Sequence, residues 1–232
     1  MTTKFDLKIL AQLGVVFAVM LTVKWFADQQ GVIGAGGIAM WCAIITATVL
    51  MKRDGIKWAD FGLSLPHGRE EWLRTVGVAL LAVVAVILFM ALVLGPVVQA
   101  LGLEMSEDAS DRFAFFLGKP LVFAAYLVVV VWFGAAMGEE LLMRGFVLNR
   151  LGDFFGRGVV GWAIAVMIHS VIFGSLHAYQ GPAGILATGM VAMIFGTVYL
   201  LFKRRLVPLI LAHGLINTIS LTGYYLTDGA MT

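Results

Sequence analysis

A pair of adjacent carboxylates followed by an arginine stands at the end of a strongly apolar run. These residues are Glu139, Glu140 and Arg144. Ionisable side chains in apolar spans are costly unless they are paired or face water, so each is a functional candidate. Glu140 precedes Arg144 by four residues, the favourable order for an ion pair within a helix. Glu139 has only Met143 at that spacing, so its carboxylate is predicted to meet another helix, water or a metal. Adjacent residues of an α-helix point about 100° apart, so the two carboxylates are not expected to face one partner.

Two later segments supply imidazoles and an amide. "FGSLH" sets Phe173 four residues before His177, and "HGLIN" sets His213 four residues before Asn217. A carboxylate that deprotonates water, an imidazole that orients the water and carries its proton, and two oxyanion donors are sufficient for peptide hydrolysis. Alternatively, Glu139, His177 and His213 could hold a divalent metal such as zinc with one open position. The residues leave a cofactor-free site and a metal site equally open.

Two further histidines are interpreted without a catalytic role. His169 lies in the same apolar segment as His177, and we expect it to form a hydrogen bond between helices. His67 stands between Pro66 and Gly68 and is expected to be a solvated loop residue.

The elements that must position these residues are membrane helices. The chain of 232 residues is 61% hydrophobic and only 13% charged, whereas about a quarter of the residues of an ordinary soluble domain are charged. Seven apolar runs are long enough to cross a hydrocarbon core of ~30 Å. They cover residues 9–26, 32–51, 75–95, 121–143, 159–177, 183–202 and 206–226. We predict an all-α polytopic transmembrane bundle that forms one domain over residues 1–232, with the lipid bilayer as a partner and no nucleic acid.

An eighth element is the alternative topology. Residues 96–118 contain "FAFFLG" within an acidic loop, and a short or re-entrant segment there would raise the number of spans to eight.

The distribution of cations predicts the orientation. Lysines and arginines cluster at residues 4–8, 52–74, 144–157 and 203–205. With seven spans all four clusters fall on one side, which the positive-inside rule assigns to the cytoplasm, together with the amino terminus. The loop with Glu104, Glu107, Asp108 and Asp111 would face outside. Residues 52–76 mix tryptophans with charges and are expected to lie at the level of the lipid headgroups.

The heights of the candidate residues can be estimated along antiparallel helices. If the fourth helix continues through "RGFVLNRLGDFF" to a turn at 156–158, Glu139 lies seventeen residues before that turn and His177 nineteen after it. At ~1.5 Å per residue the two residues lie ~26 and ~28 Å from the turn, and are level. Asn217 lies ~18 Å beyond Arg205, somewhat below them.

Several established classes of membrane protease are disfavoured. The sequence has no H-E-x-x-H helix, no G-x-S-G nucleophile and no G-x-G-D motif, so zincin-like, serine and aspartyl mechanisms lack their required residues.

Three patterns in order along the chain resemble one family. E-E-x-x-x-R at 139–144, F-x-x-x-H at 173–177 and H-x-x-x-N at 213–217 are similar to the CAAX prenyl protease and bacteriocin-processing family of intramembrane endopeptidases. The resemblance covers about residues 130–222, and "ADFGLSLP" is similar to a weaker upstream signature of the family.

The resemblance implies roles for individual residues. Glu139 would activate water, His177 would be its catalytic partner, and His213 with Asn217 would stabilise the oxyanion. The supporting residues would be Glu140, Arg144 and Phe173. The family is described both as metal-dependent and as glutamate-dependent, so the cofactor stays open. The compact loops favour a bacterial inner-membrane protein acting on peptide precursors, bacteriocin leaders, signalling peptides or membrane-anchored regulators.

Two other functions remain as alternatives. In a non-catalytic membrane scaffold or immunity protein, the polar residues would only hold helices together. A transporter with a proton-coupled Glu–His relay has less support, because the sequence shows no internal repeat and no matching broken helices.

Overall fold

Seven long helices form a bundle within the described part of the chain. The computed structural model describes residues 6–32, 34–106 and 112–229, and its long helices are each apolar and long enough to cross a membrane. They are α1 Leu7–Gln29, α2 Ala35–Arg53, α3 Gly68–Ala100, α4 Pro120–Phe155, α5 Val159–Leu176, α6 Gly181–Leu201 and α7 Val207–Leu226. The all-α fold and the seven spans are confirmed.

The two central spans are longer than their hydropathy suggested. Helix α3 begins at Gly68, seven residues before the predicted start, and α4 continues to Phe155, as the height estimate assumed. Positive φ values at Gly68 and Gly156, +74° and +86°, mark these ends, since only glycine adopts this conformation without steric cost.

No eighth span is present among the described residues between α3 and α4. The segment "FAFFLG" forms a single 3₁₀ turn, Ala114–Phe116, and Phe116 is fully buried. Its ring contacts the rings of Phe123, Tyr126 and Tyr224. Residues Glu107, Asp108 and Asp111 of the predicted acidic loop lie outside the described residues.

Most of α4 is wider than an α-helix. Residues Leu127–Leu148 are π-helical, with hydrogen bonds from each residue to the fifth one along the chain. A π-helix is wider and rises less per residue than an α-helix, so the rise of ~1.5 Å assumed for this stretch was wrong. π-helical turns occur frequently at functional sites, and here they carry both carboxylates.

The basic clusters meet at one end of the bundle. Asp54 bonds to Lys8 at the start of α1 and to Arg150 near the end of α4, and Arg204 donates to Asn149 at 3.1 Å. Arg144 is the exception, because its side chain is only 1% exposed and lies inside the bundle.

The segment between α2 and α3 packs on protein rather than resting wholly at headgroup level. Phe61 is buried, and its carbonyl accepts a hydrogen bond of 2.7 Å from the Tyr199 hydroxyl. Gly62 has φ +94°, and a Cβ there would lie 1.7 Å from the carbonyl oxygen of Arg204. The "ADFGLSLP" segment is therefore fitted to the turn between α6 and α7, which the prediction of a headgroup-level segment missed. His67 is exposed as expected.

Candidate active site

The ion pair predicted within α4 is present and buried. An Nη1 hydrogen of Arg144 is donated to Oε1 of Glu140 at 2.8 Å, and the two side chains are 1% and 0% exposed. Two aromatic rings flank the guanidinium, that of Phe173 at 4.8 Å and that of Phe195 at 5.2 Å. A charge removed from water is stabilised when it has both a counter-charge and aromatic faces. The pair anchors α4 against α5 and α6.

His213 lies between the two carboxylates. Its Nδ1 is 2.9 Å from Oε1 of Glu140, and its Nε2 is 3.9 Å from Oε2 of Glu139. Because a carboxylate oxygen accepts, Nδ1 carries the proton in the first contact. The expectation that the carboxylates would not share a partner was wrong. An imidazole has nitrogens on opposite edges, so residues that point in different directions can reach the same ring.

Small residues allow α4 and α7 to approach closely enough for these contacts. A Cβ at Gly214 of α7 would lie 2.6 Å from the Trp132 ring of α4. On another side of α4, a Cβ at Gly138 would lie 3.2 Å from the Met40 side chain of α2. Close packing of membrane helices generally depends on such positions. Gly214 beside His213 thus allows α7 to approach α4, and Gly138 beside Glu139 allows α2 to approach α4.

His177 ends α5 with a fixed ring. Its Nδ1 lies 2.8 Å from the Phe173 carbonyl. Since a carbonyl only accepts, Nδ1 is the protonated nitrogen and Nε2 keeps its lone pair. The Phe173 and His177 rings are 4.6 Å apart, as their spacing predicted. The 3₁₀ turn Ala178–Gln180 follows, where Ser106 donates its backbone N–H to the Gln180 carbonyl at 2.9 Å. His177 therefore lies towards the end of the bundle opposite the basic clusters.

The candidate residues form two groups that meet at Arg144. One group contains Glu139, Glu140 and His213, and the other contains Phe173 and His177. The guanidinium touches both, through Glu140 and through the Phe173 ring. Within the described residues no hydrogen bond or salt bridge joins His177 to either carboxylate.

Asn217 follows His213 by one turn of α7. Its side chain is half-buried and makes no hydrogen bond within the described part of the chain. Its amide is therefore available to another molecule, and within the described residues no hydrogen bond joins it to another candidate residue.

His169 does not bridge helices as expected. The side chain is completely buried, and neither ring nitrogen has a hydrogen-bond partner among the residues described. Its ring stacks at 6.5 Å on Phe173 instead.

Sequence reasoning missed the role of Phe195. Its ring lies under Arg144 and meets the His213 ring edge-on at 6.1 Å. A phenylalanine in the middle of an apolar span carries no local signal that it contacts polar groups.

The donors suggested for a metal do not converge. Across residues 6–32, 34–106 and 112–229, no three His, Cys, Asp or Glu side chains form a group that could hold a metal ion. Glu139 and His213 face each other, but His177 does not join them, so the fit of Glu139, His177 and His213 to a zinc ion is poor.

Comparison with known proteins identifies the segment that carries all these residues. Residues 121–219 match the family model described as type II CAAX prenyl endopeptidase Rce1-like. No curated protein and no solved structure gives a significant match to the chain. The matched segment runs from α4 into α7 and includes every candidate residue, from Glu139 to Asn217. This part of the chain is therefore similar to the type II CAAX prenyl endopeptidases of the Rce1-like family.

Proposed function

We propose that the protein is an intramembrane endopeptidase that hydrolyses a peptide bond in a peptide or a membrane-associated protein. The observation that carries the proposal is the position of Glu139 opposite His213. Its Oε2 faces Nε2 of His213 at 3.9 Å, and the side chains are 18% and 13% exposed beside a fully buried ion pair. A partly accessible carboxylate and imidazole next to buried charges is an arrangement suited to acid–base chemistry.

Glu139 acts as the general base. A separation of 3.9 Å is too long for a direct hydrogen bond, but a water can bridge two polar groups at such a distance. Glu139 removes a proton from the water while the water oxygen attacks the substrate carbonyl carbon. General-base catalysis of this kind contributes about 10²–10⁴-fold to the rate.

His177 orients the water and carries its proton. The Phe173 carbonyl holds the proton on Nδ1, so the Nε2 lone pair is the free acceptor. Glu139 passes the proton to this nitrogen through water in the site, and the nitrogen releases it to the leaving amine, so that Glu139 is ionised again.

His213 and Asn217 stabilise the developing oxyanion. With Nδ1 directed at Glu140, Nε2 is the ring nitrogen of His213 that remains for the substrate, and it donates to the oxyanion when it carries a hydrogen. The free amide of Asn217 supplies the second donor from the same face of α7. Each such donor stabilises the transition state by about 3 kcal/mol.

Glu140 and Arg144 position His213, and Phe173 positions His177. A carboxylate on the far nitrogen of a histidine fixes its tautomer and ring orientation. Since Arg144 holds the same Glu140 oxygen, the orientation of the His213 ring depends on both residues.

The proposed substrates are peptide precursors, bacteriocin leaders, signalling peptides or membrane-anchored regulators. We also propose a bacterial inner-membrane location with the amino terminus in the cytoplasm, which the grouping of Lys8, Asp54, Arg150 and Arg204 at one end of the bundle supports.

Cleavage of a fluorogenic peptide library by the purified protein in detergent tests the assignment. We expect Glu139→Gln to reduce the rate at least 10²-fold with little change in thermal stability. Glu70→Gln, on the exposed start of α3, is the matched control and should cleave normally. His177→Ala should also abolish cleavage, whereas His67→Ala, at an exposed loop position, should not.

Full cleavage by both Glu139→Gln and His177→Ala would overturn the residue assignment. If wild-type protein cleaves no peptide and Glu139→Gln lowers only stability, the scaffold alternative is correct.

Elemental analysis before and after chelation tests the metal alternative, because stoichiometric zinc lost together with activity would contradict direct action of Glu139 on water.

A further inference from the structure

A cavity lies far from the candidate active site, at the end of the bundle that carries the basic clusters. Its volume is about 220 Å³, and it lies between the start of α3 and the turn from α6 to α7. Glu71, Arg74, Lys203 and Arg205 contribute its charged wall.

The charges in this cavity are unbalanced. Three cations face one carboxylate, and Arg205 already donates to Glu71 at 3.5 Å and to the Ser64 hydroxyl at 3.2 Å. Arg74 and Lys203 are exposed and form neither a hydrogen bond nor a salt bridge to a described residue. The cavity therefore favours an anion near these two side chains.

The backbone that presents Lys203 is held in an unusual conformation. Lys203 and Arg204 have φ values of +57° and +54°, which are unfavourable for residues with a Cβ. The turn is fixed by backbone hydrogen bonds from Arg204 to Tyr199 and from Leu206 to Gly62, at 2.7 and 3.0 Å. Backbone conformations of this kind persist where the surroundings impose them, and they concentrate at ligand sites.

Another part of the cavity wall is apolar. Val78, Leu201, Phe202 and Pro208 form this wall, and Leu201 is 73% exposed on the outer face of the bundle. A free phosphate would need only the cations, whereas a phospholipid has a charged headgroup joined to acyl chains. The cavity has both the cations and the apolar surface that a phospholipid requires. It lies at the end of α6 and the start of α7, where the headgroups of a bilayer are found.

We propose that this cavity binds an anionic phospholipid, with Arg74 and Lys203 on the headgroup phosphate and the apolar wall against the upper part of an acyl chain. The lipid bridges α3 to the turn that begins α7, the helix that carries His213. This inference requires only that the protein spans a membrane and does not depend on its catalytic activity.

Delipidated protein in a non-ionic detergent provides the test, with phosphatidylglycerol, phosphatidylcholine and inorganic phosphate as separate probes. We expect phosphatidylglycerol alone to raise the melting temperature by several degrees and to remain bound in native mass spectra. The Arg74→Gln/Lys203→Gln double variant should lose at least tenfold in apparent affinity. Lys52→Gln/Arg69→Gln removes the same charge from exposed positions outside the cavity and should bind like wild type.

The other outcomes overturn the proposal. Equal stabilisation by phosphatidylcholine would show that the headgroup charge is not recognised. Equal stabilisation by inorganic phosphate would indicate an anion site without a lipid. Unchanged binding of phosphatidylglycerol by the Arg74→Gln/Lys203→Gln variant would place the lipid elsewhere.

Discussion

Replacing Glu140 by glutamine would test whether the buried ion pair holds the site together. Glutamine keeps the size of the side chain but leaves Arg144, which is 1% exposed, without its counter-charge. Removal of one partner of a buried ion pair costs about 3–5 kcal/mol. His213 would also lose a charged acceptor, worth about 1 kcal/mol more than a neutral one. Because Glu139 remains close to the same ring as a partial counter-charge, we expect a total loss of about 4 kcal/mol.

Thermal unfolding in detergent, followed by tryptophan fluorescence, measures this loss. At this chain length 1 kcal/mol shifts the melting temperature by about 2–4 °C, so Glu140→Gln should melt about 8–16 °C below wild type. The exposed Glu70→Gln variant removes the same charge and should melt within about 2 °C of wild type. The double variant Glu140→Gln/Arg144→Met also removes the unpaired cation and should recover most of the lost stability.

The result that would refute this reasoning is a Glu140→Gln variant as stable as Glu70→Gln. It would mean that the ion pair contributes nothing, and the argument that Glu140 fixes the His213 ring would fail with it. A double variant less stable than Glu140→Gln alone would likewise show that the unpaired guanidinium is not the source of the loss.

Two further predictions concern the end of the bundle with the basic clusters. The hydrogen bond from Lys8 helps to hold the pKa of the Asp54 carboxyl below its usual range. The stability that the ionised Asp54 contributes is therefore complete above the unfolded pKa of about 4 and falls as the pH decreases below that value. The difference in melting temperature between wild type and Asp54→Asn should therefore be constant from about pH 7 to 5 and shrink below about pH 4, and a difference that does not change with pH would contradict it. Gly62→Ala should lower the yield of folded protein and the melting temperature, because its Cβ would lie 1.7 Å from the Arg204 carbonyl oxygen. Gly55→Ala has a similar positive φ of +73° but open space around its Cβ, so it should lose only about 1–2 kcal/mol, and equal losses in the two variants would exclude the clash as the cause.

Features set by local spacing were predictable from the sequence. The seven spans follow from runs of apolar residues, the Glu140–Arg144 pair from their separation of four, and the Phe173–His177 contact from the same spacing. Each depends on residues close together in the chain, where the geometry of a helix sets the distance.

Features set by tertiary packing were not predictable. The hydropathy of residues 127–148 is the same for an α-helix and a π-helix, because it depends on composition and not on the hydrogen-bond pattern. The lack of a partner for His169 and the contacts of Phe195 depend on which faces of α4 to α7 meet. Pairing of both carboxylates with His213 also needed the relative height of α4 and α7, which sequence alone does not set.

The single imidazole that lies between two consecutive carboxylates makes the site sensitive to sliding between helices. If α4 moved by one residue relative to α7, Gly138 and Glu139 would take the places now held by Glu139 and Glu140, and one edge of the ring would lose its carboxylate. A deletion or insertion of one residue between Trp132 and Gly138 should therefore disable the protein even if all seven spans still insert. The relative alignment of α4 and α7 is thus constrained by the two carboxylates on either side of the imidazole as well as by the packing of the helices.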